Sequence, residues 1–290
     1  MRPVLSELVE LLRLERIEAH LFRGQSQDLG WGAIFGGQVL GQALSAAAQT
    51  VPEDRSVHSL HGYFLRRGDA SRPVIYEVDP IRDGKSFATR RVVAIQGGRA
   101  IFNLSASFQV DEGGLEHQSP MPTVPGPEGL DSELTRNHRH AERIPEAFRE
   151  RALAERPIEV RPVEGYSSLR PRKAPPRRSV WYRAVDPLPD DPALHRYLLA
   201  YASDFQFLVT AMQPHGVSWL TPGMQVASLD HAMWFHRPFR FDVWLLHVIE
   251  SPSASGARGL VRGHFFDRHG NLVASTAQEG LMRDWRERDG

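Results

Sequence analysis

The chain has 290 residues, of which 41% are apolar and 24% charged, and its 35 basic and 35 acidic residues leave no net charge. At roughly 100–200 residues per domain, this length predicts about two domains. The apolar content predicts a packed core, and the neutral balance argues against nucleic acid as a partner. The chain contains no cysteine, which excludes disulfides, cysteine nucleophiles, thiolate zinc sites and iron–sulfur clusters.

The first residues predict an amphipathic helix. Leu5, Leu8, Val9 and Leu12 recur at helical spacing, and Ile17 continues the pattern. Glutamates interrupt this segment, so it lacks the unbroken apolar core of a signal peptide. No apolar run approaches the roughly 18 residues that a membrane-spanning helix needs. We therefore expect a cytoplasmic protein without a membrane span.

A clear helix followed by strands comes next. Gly36-Gly37 opens the predicted helix, and apolar residues follow at helical spacing as far as Ala47. Three runs rich in β-branched and aromatic residues then predict strands, over Val74–Val78, Phe87–Ile95 and Ile101–Val110. The short turns Asp83-Gly84 and Gly97-Gly98 favour hairpins, hence an antiparallel sheet. The helix buries its apolar side most simply by lying across that sheet.

The same order of one helix and several strands recurs in the second half, where SDFQFLVTAMQPHGV is the predicted helix. Tyr63-Phe64-x-Arg66 in the first half matches Trp234-Phe235-x-Arg237 in the second. These matches predict a duplicated α+β unit, although two copies alone leave chance similarity as the alternative. The predicted division is an N-terminal domain over 1–115, a Pro/Arg-rich linker over 116–179 and a C-terminal domain over 180–290.

Several well-known site motifs are absent from the sequence. It has no G-x-G-x-x-G, no P-loop, no H-E-x-x-H and no G-x-S-x-G elbow. His231 and His236 are an odd number of positions apart on one predicted strand, which places them on opposite faces. The same holds for His58 and His61. We therefore expect neither a metal ion nor a cofactor.

Six motifs in chain order carry a family resemblance: HSLHGYFLRRGD, RDGKSFATRRV, LAYASDF, MWFHRPF, SGARGL and LVASTAQEGLMR. Together they resemble the acyl-CoA thioesterase II family, over residues 5–285. The resemblance implies a tandem (double) hotdog fold, in which each unit is a long helix wrapped by an antiparallel sheet. It also implies hydrolysis of fatty acyl-CoA to free acid and CoA. With the exposed sheet edges, it suggests a homodimer or homotetramer.

The resemblance also implies three catalytic residues, which are Asp204 in YASDF, Ser228 in ASLDH and Gln278 in STAQEG. A thioester is already activated, so an oriented and polarised water is a sufficient nucleophile. The Asp204 carboxylate can accept a proton from that water as general base, and the Ser228 hydroxyl and Gln278 amide can orient it. Backbone N–H groups at the start of the run FQFLVTAM would stabilise the oxyanion.

Each of the three residues also has an ordinary structural interpretation. Asp204 can be the N-cap of its predicted helix, Ser228 a solvent-facing hydroxyl at a strand edge, and Gln278 an unremarkable strand residue. Two other functions stay open for the whole chain. One is a non-catalytic acyl-CoA-binding module, and the other is a hotdog enoyl-CoA hydratase.

The internal repeat predicts that only the second half is catalytic. If the halves superpose, Gly37 takes the place of Asp204 and Val57 that of Ser228, and neither has the required side chain. Gln278 falls at Phe108 or Gln109, depending on one gap. We therefore expect the first half to provide structure and one wall of the groove for the acyl group and CoA.

Overall fold

The computed structural model describes residues 1–30 and 32–286. The helices of this part of the chain are α1 (Pro3–Leu12), α2 (Gly36–Ala48), α3 (Glu133–Arg139), α4 (Glu146–Leu153), α5 (Pro192–Ser203) and α6 (Val209–Met212). None of these helices is both long enough and apolar enough to cross a bilayer.

The strands of the described residues all belong to one antiparallel sheet. They are β1 (Glu15–Glu18), β2 (Leu21–Gly24), β3 (Arg55–Phe64), β4 (Val74–Asp83), β5 (Phe87–Gln96), β6 (Arg99–Val110), β7 (Ile158–Pro162), β8 (Arg177–Ala184), β9 (Met224–Ser228), β10 (Asp230–Phe235), β11 (Leu245–Ser255), β12 (Arg258–Phe266) and β13 (Leu272–Asp284). Their order is β1-β2-β4-β5-β6-β3-β10-β13-β12-β11-β8-β7, with β9 paired to β13.

This order contains the same unit twice. From its outer edge inward, the first half runs β2-β4-β5-β6-β3 and the second runs β8-β11-β12-β13-β10. The halves join where β3 pairs with β10 over the stretches 59–63 and 230–234. These two stretches are separated by the same offset as the motifs at Tyr63 and Trp234. The predicted duplication is therefore confirmed, and its register agrees with the sequence match.

The predicted hairpins are also present. Strands β4, β5 and β6 pair in succession, and Gly97 and Gly98 turn the chain with φ of 55° and 72°. Such positive φ values are those of a tight hairpin turn, which glycine adopts without a steric penalty.

The two long helices, α2 and α5, pack against each other in opposite directions. A Cβ on Gly37 would clash with the Tyr201 carbonyl oxygen, and one on Gly41 would lie 3.1 Å from that of Tyr197. Absent side chains at both glycines thus let α2 and α5 approach closely. One continuous apolar core contains both helices and the inner faces of both half-sheets.

Helix α1 covers this pair of helices. Its predicted apolar face, formed by Leu5, Leu8, Val9 and Leu12, is buried in the core. The helix nevertheless ends at Leu12, and Ile17 lies exposed in the short edge strand β1. The continuation of the helical pattern to Ile17 was therefore wrong, since the chain turns into a hairpin of β1 and β2.

Parts of the segment 116–179 are folded, although its composition predicts a linker. It contains α3, α4 and β7, and β7 extends the sheet by pairing with β8. The indole N–H of Trp181 on β8 donates to the Pro125 carbonyl at 2.9 Å. The prolines here therefore belong to a strap packed on the outside of the second half-sheet, where Met121, Val124 and Leu130 meet its apolar side chains.

The helix predicted to begin at Ser203 and Asp204 instead ends there. Helix α5 runs from Pro192 to Ser203, with Asp191 as its N-cap, and only the short helix α6 follows in the run FQFLVTAM. The Asp191 carboxylate accepts from the N–H groups of Ala193 and Leu194. An Asp N-cap followed by Pro at the first helical position strongly favours a helix start here, so the second unit begins its helix earlier than predicted.

Candidate active site

The Asp204 side chain lies where the ends of the two long helices meet. Asp204 directly follows α5 and has a turn conformation, with φ of −83° and ψ of −12°. It is therefore a C-cap, and the interpretation of Asp204 as an N-cap was wrong. A carboxylate at the negative end of a helix dipole is unfavourable unless something else stabilises it.

The other two predicted residues lie beside this carboxylate. The Gln278 side-chain amide donates to Asp204 Oδ1 at 2.9 Å, and Gln278 itself is only 1% exposed. The Ser228 hydroxyl, at the end of β9, donates to the same carboxylate. Strand β9 pairs with β13 so that Ser228 lies opposite Gly280, close to Gln278 on the same strand. The structure thus brings all three residues together.

The fourth group at the carboxylate comes from the first half of the chain. The backbone N–H of Gly37, in the first turn of α2, also forms a hydrogen bond with Asp204. A Cβ on Gly36 would lie 2.6 Å from Asp204 Oδ2, so glycine is required for the carboxylate to come this close. The positive end of α2 therefore offsets the negative end of α5. The expectation that N–H groups at the start of FQFLVTAM stabilise the oxyanion stays a prediction, although the helical part of that run begins only at Val209.

The surroundings give Asp204 the pKa of a usable base. Desolvation of the partly buried carboxylate raises its pKa above the ordinary value. The hydrogen bonds from Gln278, Gly37 and Ser228 act in the opposite direction, and the net pKa shift is upward. A carboxylate with a raised pKa accepts a proton more readily than a free aspartate does.

The donors at Asp204 should set the acid limb of the pH–rate profile. If Asp204 acts as a base, activity falls as the pH drops through its pKa. Gln278→Met removes a hydrogen bond that lowers this pKa, so we expect the acid limb of kcat/KM to move to higher pH. We also expect kcat to fall by about 10²-fold, the effect of losing one well-placed donor. Ser228→Ala should move the limb in the same direction by less. Steady-state kinetics across the acidic and neutral pH range measure both shifts.

Gln213→Met is the matched control for this series. Gln213 is also a buried glutamine, but its amide donates to the Pro175 carbonyl at 2.9 Å, away from Asp204. The acid limb of kcat/KM for Gln213→Met should lie at the same pH as that of the wild type. An unmoved limb in Gln278→Met would mean that Asp204 does not control the profile.

The first-half positions that match His231 and Gln278 carry apolar side chains. Asp204 follows the end of α5 and therefore matches the end of α2, so the expected match with Gly37 was wrong. Continuing the Ala232–Ala277 pairing of β10 with β13 places His231 opposite Gln278. In the first half, Leu60 pairs with Ala106, and the offset between the halves matches Leu60 with His231. Register therefore matches Gln278 with Ala106, and the expected match with Phe108 or Gln109 was wrong. At these two positions of the sheet, only the second half carries polar side chains.

The turn that follows Asp204 contacts helix α3. Gln206 has a left-handed backbone with φ of 56°, which is strained for a residue other than glycine. Its side-chain amide donates to Glu133 of α3, and the Tyr182 hydroxyl donates to the Phe205 carbonyl at 3.3 Å. Glu133 also lines a cavity of about 350 Å³ between α3 and β7. This cavity therefore adjoins the turn that follows Asp204.

Comparison with known proteins identifies the family. An acyl-CoA thioesterase family model matches residues 147–281, and a model of the acyl-CoA thioesterase N-terminal domain matches residues 26–109. The chain is 46% identical over 283 residues to acyl-CoA thioesterase 2 of Haemophilus influenzae, covering 98% of this chain and 99% of that one. The chain belongs to the acyl-CoA thioesterase family. Human acyl-coenzyme A thioesterase 8 is 43% identical, over 94% of this chain and 88% of its own.

Solved structures of this family show the same architecture. The acyl-CoA thioesterase II TesB2 of Mycobacterium marinum has a TM-score of 0.76 and 42% identity, covering 96% of this chain and 98% of that one. A tesB protein of Mycobacterium avium subspecies paratuberculosis has a TM-score of 0.80 and 32% identity, over 97% and 99%. These likenesses confirm the tandem hotdog fold. The relatives carry thioesterase names, which support a thioester hydrolase and lend no support to a hydratase or a binding module.

Two features of the site were missed at the level of sequence. The Gly37 N–H is a backbone group from the other half of the chain than Asp204, so no side-chain pattern identifies it. Its signal is the pair Gly36-Gly37 at the start of an apolar helix, where small residues permit a close approach. The buried histidine His231, next to Gln278 across the strands, was considered only as a metal ligand.

Proposed function

We propose that this thioesterase hydrolyses fatty acyl-CoA to free fatty acid and CoA, with Asp204, Ser228 and Gln278 activating one water molecule. The observation that carries the proposal is the convergence of a carboxylate with raised pKa, an amide and a hydroxyl at the junction of α2 and α5. Its acyl-CoA relatives support the substrate class.

The reaction needs only groups that this chain has at the site. The Asp204 carboxylate takes a proton from the water while the water oxygen bonds to the thioester carbon. The carbon–sulfur bond then breaks, and the CoA sulfur leaves with the proton that Asp204 accepted. Ser228 and Gln278 hold Asp204 and the water in position, which supplies part of the rate acceleration through orientation. The Gln278 amide has a second N–H, which is available for the water or the carbonyl oxygen.

A single-turnover reaction in H₂¹⁸O tests the role of Asp204 in this mechanism. Enzyme in excess over a long-chain acyl-CoA is quenched after one turnover, and both the fatty acid and the protein are analysed by mass spectrometry. Direct attack by water places one ¹⁸O in the fatty acid and none in the protein. Label in the Asp204 carboxylate would instead identify Asp204 as a covalent nucleophile, and it would contradict the proposed role as base.

We further propose a cytoplasmic enzyme that forms a homodimer or homotetramer. The absence of cysteine is compatible with a reducing compartment. The edge strands β1 and β7 end the sheet, and edge strands are surfaces at which a second chain can pair.

A further inference from the structure

A second polar pair lies directly behind Asp204. Ser203, the last residue of α5, and His231 of β10 are both fully buried, at 0% exposure. Ser203 Oγ lies 2.9 Å from His231 Nε2 and 2.8 Å from the Ala200 carbonyl oxygen. The Phe207 ring packs against His231, with 5.8 Å between the ring centroids. Burying polar groups beside such apolar side chains costs free energy unless the polar groups are paired.

The hydrogen bonds of this pair have a consistent direction. The one proton of the Ser203 hydroxyl goes to the Ala200 carbonyl, one of the last carbonyls of α5, which have no partner within the helix. His231 then donates from Nε2 to Ser203 Oγ. Burial lowers the pKa of His231 to about 3, so the ring is neutral at physiological pH. The last turn of α5 is thus attached to β10 by a neutral histidine.

Asp204 needs such an attachment. Its carboxylate is desolvated and follows the negative end of α5, so both effects favour a rotation of the turn that would expose Asp204 to water. Fixing Ser203 to the sheet opposes that rotation, because Ser203 and Asp204 share a peptide bond. Continuing the register of β10 with β13 by one residue also places His231 opposite Gln278.

The first half of the chain offers an internal comparison. At the position of His231 it has Leu60, which is equally buried and pairs with Ala106 rather than with a glutamine. The apolar residue fits the same place in the fold, so packing alone does not require a histidine. At this position of the sheet, histidine is present only in the half that carries Asp204.

We propose that Ser203 and His231 form a positioning pair that holds Asp204 in its reactive orientation. The proposal rests on the proposed role of Asp204 as base. His231 touches neither substrate nor water in this role and acts only through Ser203 and the end of α5.

The test separates catalysis from stability by comparing kcat with KM in folded variants. His231→Leu introduces the residue that the first half uses, and Ser203→Ala removes the hydroxyl. We expect each to lower kcat by about 10- to 100-fold, the cost of a small misplacement of a catalytic group, with KM within about twofold of wild type. His231→Gln keeps an N–H donor near Nε2 and should recover most of kcat. The double variant His231→Leu/Ser203→Ala should lose no more than either single variant, because both break the same link.

His247→Leu is the matched control. His247 is also fully buried on the inner sheet face and bonded to a hydroxyl, that of Thr276 at 3.3 Å, but it has no bond to α5. His247→Leu should keep kcat within about threefold of wild type. An equal loss of kcat in His247→Leu would reduce the His231 effect to loss of packing and overturn the proposal.

Asp204→Asn in the same assay distinguishes the two ways of failing. If Asp204→Asn keeps wild-type turnover, the result contradicts both the role of Asp204 as base and the role of Ser203 and His231 as its positioning pair. If Asp204→Asn is inactive while folded His231→Leu and Ser203→Ala keep wild-type kcat, the base stands and only the pair is contradicted.

Discussion

Asp204→Asn should lower kcat by about 10²–10⁴-fold, the range that a general base contributes. Asparagine has the same shape, and its side-chain oxygen can still accept the 2.9 Å hydrogen bond from Gln278, so the fold should persist. The amide cannot take a proton from water, and KM should change little. Thiol release from a series of acyl-CoA chain lengths measures the loss, and circular dichroism checks the fold.

A second carboxylate provides the control. Asp230 also has a raised pKa through burial, but its Oδ1 accepts the Glu279 backbone N–H at 2.6 Å. It alternates with the inward-facing His231 on β10 and therefore faces the outer side of the sheet. Asp230→Asn should retain kcat within about threefold of wild type. If Asp230→Asn loses as much kcat as Asp204→Asn, the position of Asp204 at the junction of α2 and α5 is not what determines the loss.

Gly37→Ala should impair both stability and turnover. The added Cβ would clash with the Tyr201 carbonyl oxygen and would lie 2.5 Å from the Phe35 ring. Because a backbone atom cannot move aside as a side chain can, α2 and α5 must separate, at a cost of about 1–3 kcal/mol in the free energy of unfolding. The separation moves the Gly37 N–H away from Asp204, so we expect kcat to fall by about 10²-fold. Urea denaturation and steady-state kinetics measure the two effects.

Gly41→Ala distinguishes helix separation from loss of the N–H group. Gly41 lies one turn further along the same face of α2, where a Cβ would be 3.1 Å from the Tyr197 carbonyl and 2.9 Å from the movable end of Leu12. It should destabilise the fold by less and leave kcat close to wild type. If Gly41→Ala loses as much activity as Gly37→Ala, the position of the Gly37 N–H is not what matters.

The sheet was predictable because its signals are local. Alternating β-branched residues and the turn at Gly97-Gly98 define β5 and β6, and the repeated YF-x-R and WF-x-R motifs place the two halves in register. The second helix was misplaced because SDFQFLVTAM is as apolar as a helix face. In the structure, Phe207 and Ala211 of this run instead fill the core after α5 has ended. The stronger signal, Asp191-Pro192 before a helical run, lay further upstream.

The candidate site was only partly predictable. Asp204, Ser228 and Gln278 were named through the family resemblance, and no spacing rule would have brought together three residues so widely separated along the chain. The contribution of the first half was out of reach because Gly37 acts through its backbone. His231 was out of reach because only the register of β10 with β13 shows that it adjoins Gln278.

Because α2 and α5 meet at Asp204, the two halves of the chain tolerate different kinds of substitution there. At the start of α2, side-chain size decides which residues are tolerated. Every residue except proline supplies a backbone N–H, but only glycine does so without a Cβ. At the end of α5, we expect chemical identity to decide, since in the proposed mechanism a side chain of equal size without a carboxylate cannot accept the proton. In the proposed mechanism, the first copy thus contributes by leaving space beside its backbone, and the second contributes the reactive side chains.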